Sequence, residues 1–139
     1  MSKAKGIGEY ISRRVVTVEP SANLQQVIEK LAFHNIGAVV VMKSQRPVGI
    51  LSERDILKRV SAKKVDPSKE VVEPFMTPKL VTIGSNDDVK DVAVKMVRGN
   101  FRHLPVVEDG ELIGILSIKD VLRAVLSIGD VDYLTGGAD

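Results

Sequence analysis

Residues 114–122 read Gly-Ile-Leu-Ser-Ile-Lys-Asp-Val-Leu, and residues 49–57 read Gly-Ile-Leu-Ser-Glu-Arg-Asp-Ile-Leu. In both stretches an apolar, strand-like Gly-Ile-Leu precedes a serine, and an aspartate stands three residues after that serine. This spacing is typical of a capping box at a helix N-terminus. We therefore expect each stretch to form the corner between a strand and a helix. The start of a helix also offers backbone N–H donors to an anion.

The similarity extends far beyond these two stretches. Residues 7–60 align with residues 72–125 without a gap, and 13 of the 54 aligned pairs are identical. Most other pairs keep an apolar residue opposite an apolar residue. The sequence is therefore an internal duplication, and both halves should share one fold.

Each repeat begins with the same local patterns. The amphipathic pieces at residues 7–14 and 72–79 predict a helical turn, because their apolar residues recur at i, i+3 and i+4. The runs Val15–Val18 and Leu80–Ile83 are rich in β-branched residues and predict short strands.

A helix, two strands and a second helix follow in each repeat. Asn23 and Asp88 have capping-box spacing at the start of the first helix, and Asn35 or Asn100 marks its end. Its buried stripe is predicted to comprise Leu24, Val27, Ile28 and Leu31 in one repeat, and Val89, Val92, Ala93 and Met96 in the other. A hairpin-length polar turn joins the two strands. The closing helices are expected from Glu53 to Val60 and from Ile118 to about Leu126.

These patterns predict an α/β (α+β) fold built from two βαββα repeats. The first repeat spans residues 7–60 and the second spans residues 72–126. Residues 61–71 form an exposed linker, and residues 127–139 form a C-terminal tail. One repeat of this size would bury only a marginal core, so we expect both to pack into one compact module.

The composition limits the classes of protein. The chain has 139 residues, of which 44% are hydrophobic and 27% charged, as expected for a soluble globular protein. The absence of cysteine excludes disulfides, thiol nucleophiles and cysteine-ligated metals, and fits the cytoplasm. A net charge of +2 does not by itself indicate nucleic-acid binding. The sequence predicts neither a signal peptide nor a membrane span.

The duplicated motifs, with Arg102-His103-Leu104-Pro105-Val106-Val107 and the valine–threonine strands upstream, resemble a tandem pair of cystathionine-β-synthase (CBS) domains. Such a pair is also called a Bateman module, and the resemblance covers residues 7–126. It implies that the repeats pack by pseudo-twofold symmetry, and that adenosine-containing ligands bind in clefts between them.

The resemblance also implies which residues contact the ligand. In the family the motif serine or threonine contacts phosphate, the motif aspartate holds the ribose hydroxyls, and the strands line the adenine pocket. Carried onto this chain, one site would use Thr17, Ala38, Val39, Ser52, Arg54 and Asp55. The other would use Thr82, His103, Leu104, Pro105, Ser117, Lys119 and Asp120. The first repeat departs from the usual pattern where it has Gly37-Ala38-Val39, with smaller residues than Arg102-His103-Leu104.

The predicted function is that of a regulatory module that senses AMP, ADP or ATP and signals by a conformational or oligomeric change. S-adenosylmethionine is an alternative ligand, and the regulated partner cannot be read from the sequence. We expect no catalytic residue, no metal and no cofactor, since the chain has no P-loop, H-E-x-x-H or G-x-S-x-G motif. The sequence also argues against nucleic acid as a ligand, because no aromatic residues lie between the basic residues.

The same motifs also have a purely structural interpretation. Both Ser-x-x-Asp motifs are also plain capping boxes, which need no ligand. The chain would then be a structural dimerisation or protein-interaction module. Lys58, Arg59 and Arg123 are interpreted as solvated helix faces. In either case we expect a homodimer, since the closing helix carries a nearly continuous apolar run that comprises Val121, Leu122, Val125, Leu126 and Ile128.

Overall fold

The computed structural model describes residues 6–78 and 80–129. The chain divides into two compact units. Among the described residues, the first unit comprises residues 15–78 and 80, and the second unit comprises residues 6–14 together with residues 81–129. The predicted C-terminal tail lies outside the described residues from residue 130 onward.

The first unit contains a three-stranded sheet of order β1-β2-β3. Strands β1 (Thr17–Val18) and β2 (Ala38–Lys43) are parallel and are connected by helix α1 (Leu24–His34). Strand β3 (Arg46–Ser52) pairs antiparallel with β2. The unit continues with a short helix α2 (Glu53–Asp55), a π-helical turn (Ile56–Ser61) and 3₁₀ turns at Pro67–Lys69 and Glu73–Phe75.

The second unit repeats this series at an offset of 65 residues. It contains helix α3 (Val89–Gly99), strands β4 (His103–Glu108) and β5 (Glu111–Ser117), and helix α4 (Ile118–Gly129). A 3₁₀ turn at Ile7–Tyr10 belongs to the same unit. The predicted α/β fold class is thus confirmed. Both hairpins also have their register shift at equivalent positions, after Val41 and after Val106.

Three local predictions differ from the structure. The predicted strand Leu80–Ile83 is reduced to a single parallel bridge from Ile83 to Val106. The first closing helix is α-helical only over Glu53–Asp55 and then widens into the π turn, whereas α4 remains α-helical and continues to Gly129. Asp88 makes no capping hydrogen bond with its side chain.

The other helix signals are confirmed. The Asn23 side chain accepts a hydrogen bond from the Gln26 amide at 3.1 Å, as an N-cap residue should. Asn35 and Asn100 end α1 and α3 in the left-handed conformation, with φ of 54° and 56°. In both helices the predicted stripe is buried or partly buried in a core made mainly of Val, Leu and Ile.

The opening segments of the two repeats are exchanged between the units. Ser12 pairs with Ile115 of β5, through amide-to-carbonyl bonds of 3.0 and 2.9 Å. Thr77 pairs in the same way with Ile50 of β3, with bonds of 2.8 and 3.1 Å. The segment that opens the first repeat therefore completes the second unit, and the segment that opens the second repeat completes the first unit.

The motif glycines permit this close approach. A Cβ atom on Gly49 would lie 2.6 Å from Met76 Sδ and 3.0 Å from the Thr77 carbonyl oxygen. A Cβ atom on Gly114 would overlap Ile11 Cγ2 and lie 2.8 Å from the Ser12 carbonyl oxygen. Glycine therefore leaves room for the segment that crosses the strand at both positions, and the approach is tighter at Gly114 than at Gly49.

Candidate functional site

Each strand-to-helix corner contains a complete capping box. At the β5–α4 corner, Asp120 Oδ2 accepts hydrogen bonds from the Ser117 amide and the Ser117 hydroxyl, both at 2.9 Å. The Asp120 amide donates back to Ser117 Oγ at 3.2 Å. Ser52 and Asp55 repeat this arrangement with distances of 2.9, 3.0 and 3.2 Å. The two motifs are thus equivalent in their backbone geometry.

The second unit brings its predicted site residues to one end of the β4–β5 hairpin. His103, the first residue of β4, pairs with Ser117, the last residue of β5. Ile83 bonds to Pro105 and Val107 at 3.1 and 2.8 Å, which places the neighbouring Thr82 beside the same end of β4. Lys119 is exposed on the first turn of α4. The first unit places Thr17, Ala38, Val39, Ser52, Arg54 and Asp55 in the corresponding positions.

Among these residues, Ala38, Val39 and Leu104 have buried side chains, and Ala38 is 5% exposed. Val39 is 0% exposed and Leu104 is 1% exposed, and each belongs to the apolar cluster of its own unit. They can offer a ligand only their backbone groups. The side chains with polar chemistry at the second corner are Thr82, His103, Ser117, Lys119 and Asp120.

Some of the donors at the start of α4 already have partners within the protein. The Ile118 amide donates to the Arg102 carbonyl at 2.8 Å, and the Asp120 amide donates to Ser117 Oγ. The Lys119 amide between them is the remaining early donor, because later amides bond within the helix. The start of α4 therefore offers an anion fewer backbone N–H donors than a helix N-terminus whose amides have no partners within the protein.

The two motif aspartates, Asp55 and Asp120, differ in the partners of their second carboxylate oxygen, Oδ1. Asp55 Oδ1 accepts from the Thr77 hydroxyl at 3.2 Å and lies 3.8 Å from Arg59 Nε. The same Arg59 donates through Nη1 to the Phe75 and Met76 carbonyls at 3.2 and 2.8 Å. Asp120 Oδ1 instead accepts from Arg123 Nη2 at 2.6 Å. The two carboxyl side chains are equally enclosed, at 12% and 13% exposure, so they differ in partners and not in burial.

Arg59, Arg123 and Thr77 are the residues that the sequence interpretation missed. The two arginines are half exposed, but they are not merely solvated helix faces, since each pairs with a motif aspartate. Their spacing of four and three residues after the aspartate was a usable signal, because these are the helical spacings that let side chains meet. Thr77 had a weaker signal: it aligns with Ser12, another hydroxyl residue.

Residues 6–78 and 80–129, the part of the chain that the structure describes, contain neither a candidate metal site nor a membrane-spanning helix. No group of three or more His, Asp or Glu side chains in these ranges is suited to hold a metal ion. None of the helices in these ranges is both long enough and apolar enough to cross a membrane.

Known proteins are similar in sequence to this chain over most of its length. An uncharacterised 17.7 kDa protein of Acidianus ambivalens is 33% identical over 132 residues, which is 94% of this chain and 79% of that protein. The protein MK0525 of Methanopyrus kandleri is 30% identical over 87% of this chain, which covers 63% of that protein. The protein MJ1225 of Methanocaldococcus jannaschii is 31% identical over 94% of this chain, which covers 46% of that protein. The chain thus spans only part of some relatives.

Solved structures show the same fold. The crystal structure of the CBS domain protein NE2398 superposes with a TM-score of 0.82 at 31% identity, covering 88% of this chain and 98% of that one. The protein CBSX2 of Arabidopsis thaliana, solved in complex with AMP, superposes with a TM-score of 0.74 at 30% identity, covering 88% and 97%. The family model of the CBS domain matches residues 7–62 and again residues 69–127. With both repeats matched, this chain belongs to the CBS-domain family as a tandem pair of CBS domains.

Proposed function

We propose that this protein is a regulatory module that binds an adenine nucleotide (AMP, ADP or ATP) at the β5–α4 corner of its second unit. The observation that carries the proposal is the Ser117–Asp120 pair at that corner, where a largely enclosed carboxylate and a helix start lie side by side. The similar protein CBSX2 has been solved with AMP, which supports this class of ligand.

The chemistry of each group suggests its role. A carboxylate has about four acceptor positions, and Asp120 uses two on Oδ2 and one on Oδ1. The 2′- and 3′-hydroxyls of a ribose would donate to Oδ1. They would displace Arg123, whose half-exposed ion pair with Asp120 contributes at most about 1 kcal/mol.

A phosphate would bind to the donors on the first turn of α4. The Lys119 amide and ammonium are the available pair, and the Ser117 hydroxyl would turn from Asp120 toward the phosphate. The positive end of the helix dipole adds a further attraction. Adenine would lie against the start of β4, near His103 and Pro105, with the backbone beside Thr82 reading its edge.

Binding would act as a signal through linkage. A ligand that binds one conformation stabilises it and shifts the population toward it. No step of this mechanism changes the nucleotide, so AMP or ATP incubated with the protein should be recovered intact. We further propose that the protein acts in the cytoplasm, which a chain without cysteine fits.

We also propose that the functional form is a homodimer. Helix α3 exposes Val94 and Val97, and the adjacent α4 exposes Ile118, Leu122 and Val125 at 40–80% of their area. The spacing of the α4 residues puts them on one side of the helix. The two helices pack against each other, so their stripes form a shared apolar face. A second copy of the chain would bury that face against its own equivalent.

A structural dimerisation module without a ligand is the second candidate. It is favoured by the fact that both capping boxes are satisfied by the protein alone. Calorimetry separates the two candidates. We expect AMP to bind the wild type, and Asp120→Ala to weaken binding roughly 10- to 150-fold, since hydrogen bonds to a charged group are worth about 1.5–3 kcal/mol.

The matched control is Glu111→Ala, because Glu111 is an exposed carboxylate at the other end of β5. It makes the same change in net charge and should leave affinity unchanged. ATP and S-adenosylmethionine are titrated in parallel to rank the ligands. If the wild type binds none of the three, the nucleotide proposal is rejected and the dimerisation module remains.

A further inference from the structure

We infer that Asp55 is a structural latch, and that ribose recognition falls to Asp120 alone. The latch comprises Asp55, Arg59 and Thr77, and it fastens the segment Glu73–Thr77 to the first unit. The part of this inference that concerns the ligand rests on the proposed function above; the part that concerns the latch does not.

The latch engages both oxygens of the Asp55 carboxylate. Its Oδ2 holds Ser52 in the capping box, and its Oδ1 takes the Thr77 hydroxyl at 3.2 Å. Arg59 lies 3.8 Å from Oδ1 and bridges from there to the Phe75 and Met76 carbonyls. Asp55 thus connects β3 and α2 to the segment Glu73–Thr77, which we call the crossing segment. A ribose hydroxyl would have to break a bond that holds the fold.

The equivalent position in the second unit lacks this connection. The backbone bridge from Ser12 to Ile115 matches the bridge from Thr77 to Ile50. However, the Ser12 hydroxyl accepts from the Arg14 amide at 3.4 Å, and the residue 65 positions after Arg59 is Ala124, which is fully buried. Asp120 therefore pairs with Arg123 of its own helix and not with the crossing segment.

The two arginines stand at different distances from their aspartates, four residues after Asp55 and three after Asp120, and Arg59 lies in a π turn whereas Arg123 lies in an α-helix. A π turn closes its hydrogen bonds one residue later than an α turn, as in the bond from the Ala62 amide to the Leu57 carbonyl at 2.9 Å. Side chains after Asp55 therefore point in different directions around the helix axis from the equivalent side chains after Asp120. Arg59 reaches both its carboxylate and the crossing segment, whereas Arg123 remains on the half-exposed surface of α4.

Hydrogen exchange on the protein without nucleotide tests the latch. Thr77→Val keeps the β-branched shape and removes the hydroxyl. We expect the Thr77 and Ile50 amides, which pair with each other, to lose protection roughly tenfold. Ser12→Ala is the matched control and should leave the Ser12 and Ile115 amides as protected as in the wild type. Unchanged protection at Ile50 in Thr77→Val would overturn the latch.

Calorimetry with AMP tests the assignment of the ligand. We expect one AMP per chain, a change of less than twofold in affinity for Thr77→Val and Asp55→Ala, and a loss of tenfold or more for Asp120→Ala. Two AMP per chain, or equal losses for the two aspartate variants, would overturn the inference and leave the nucleotide proposal standing. No AMP binding by the wild type would reject the nucleotide proposal, while the exchange experiment would still decide the latch. If Asp55→Ala does not fold, Thr77→Val alone decides both parts.

Discussion

Replacing Gly114 by alanine should destabilise the protein more than the same change at Gly49. At Gly114 the new Cβ overlaps Ile11 Cγ2 and lies 2.8 Å from the Ser12 carbonyl oxygen. The first is part of a stiff β-branched side chain, and the second is backbone that is already fixed to Ile115. Because neither group can move without strain, the destabilisation caused by overpacking should fall in the upper part of the usual range of about 1–3 kcal/mol.

At Gly49 the new Cβ meets a more adaptable neighbour. Met76 Sδ, at 2.6 Å, belongs to a flexible side chain that can change rotamer, and the Thr77 carbonyl at 3.0 Å has to yield less. Alanine also restricts the unfolded chain, which offsets about 0.4–1 kcal/mol at a compatible backbone position. The net destabilisation is then about 1–2.5 kcal/mol for Gly114→Ala, and Gly49→Ala should lie within about 1 kcal/mol of the wild type.

Urea unfolding measures these differences. For a slope of about 2 kcal/mol/M, Gly114→Ala should lower the midpoint by roughly 0.5–1.25 M. Gly6→Ala is the control, because its Cβ would have no neighbour closer than 3.7 Å and the change should be neutral or slightly stabilising. Ile11→Ala should recover part of the loss when combined with Gly114→Ala. The reasoning is refuted if Gly114→Ala is as stable as Gly6→Ala, or if positions 11 and 114 show no coupling.

Leu116→Ala should lower the free energy of unfolding by about 2–5 kcal/mol, because Leu116 is fully buried in the core of the second unit; a smaller loss in urea unfolding would contradict that packing. Lys119→Ala should weaken ATP more than adenosine in calorimetry, with a difference that shrinks as salt is added, since exposed charges are screened; equal effects on both ligands would remove Lys119 from the phosphate site. Leu122→Asp should convert the proposed dimer to a monomer in sedimentation velocity, because a charge would replace a 55% exposed apolar residue on the shared helix face. If the variant is still a dimer, the interface does not include this face.

Much of the fold could be predicted because its signals are local and occur twice. The asparagines at residues 35 and 100 end their helices by adopting a conformation that few other residues tolerate. The serine and aspartate of each motif cap a helix through groups only three residues apart. Such contacts depend on neighbouring residues alone, so a single sequence contains the information for them.

The features that could not be predicted depend on contacts between distant parts of the chain. Ile7–Tyr10 and Glu73–Phe75 have the same amphipathic pattern, so nothing local indicates which unit either of them completes. The run Leu80–Ile83 has strand-forming residues, yet only Ile83 pairs. The different roles of Asp55 and Asp120 depend on Thr77 and Arg59, whose contacts arise only once the crossing segment has docked.

The exchanged opening segments also constrain how the chain can be made. Tyr10 bonds to Ser127, a residue 117 positions later, and Ser12 pairs with Ile115. During synthesis the ribosome produces residues 7–12 well before any of their partners in the second unit exist. Residues 15–78 can meanwhile complete the first unit, because all the bonds of the Glu73–Thr77 segment described above are to residues made earlier. The second unit has to wait until α4 has emerged, and its earliest-made segment is then among the last to dock, which is the slow, long-range kind of folding step.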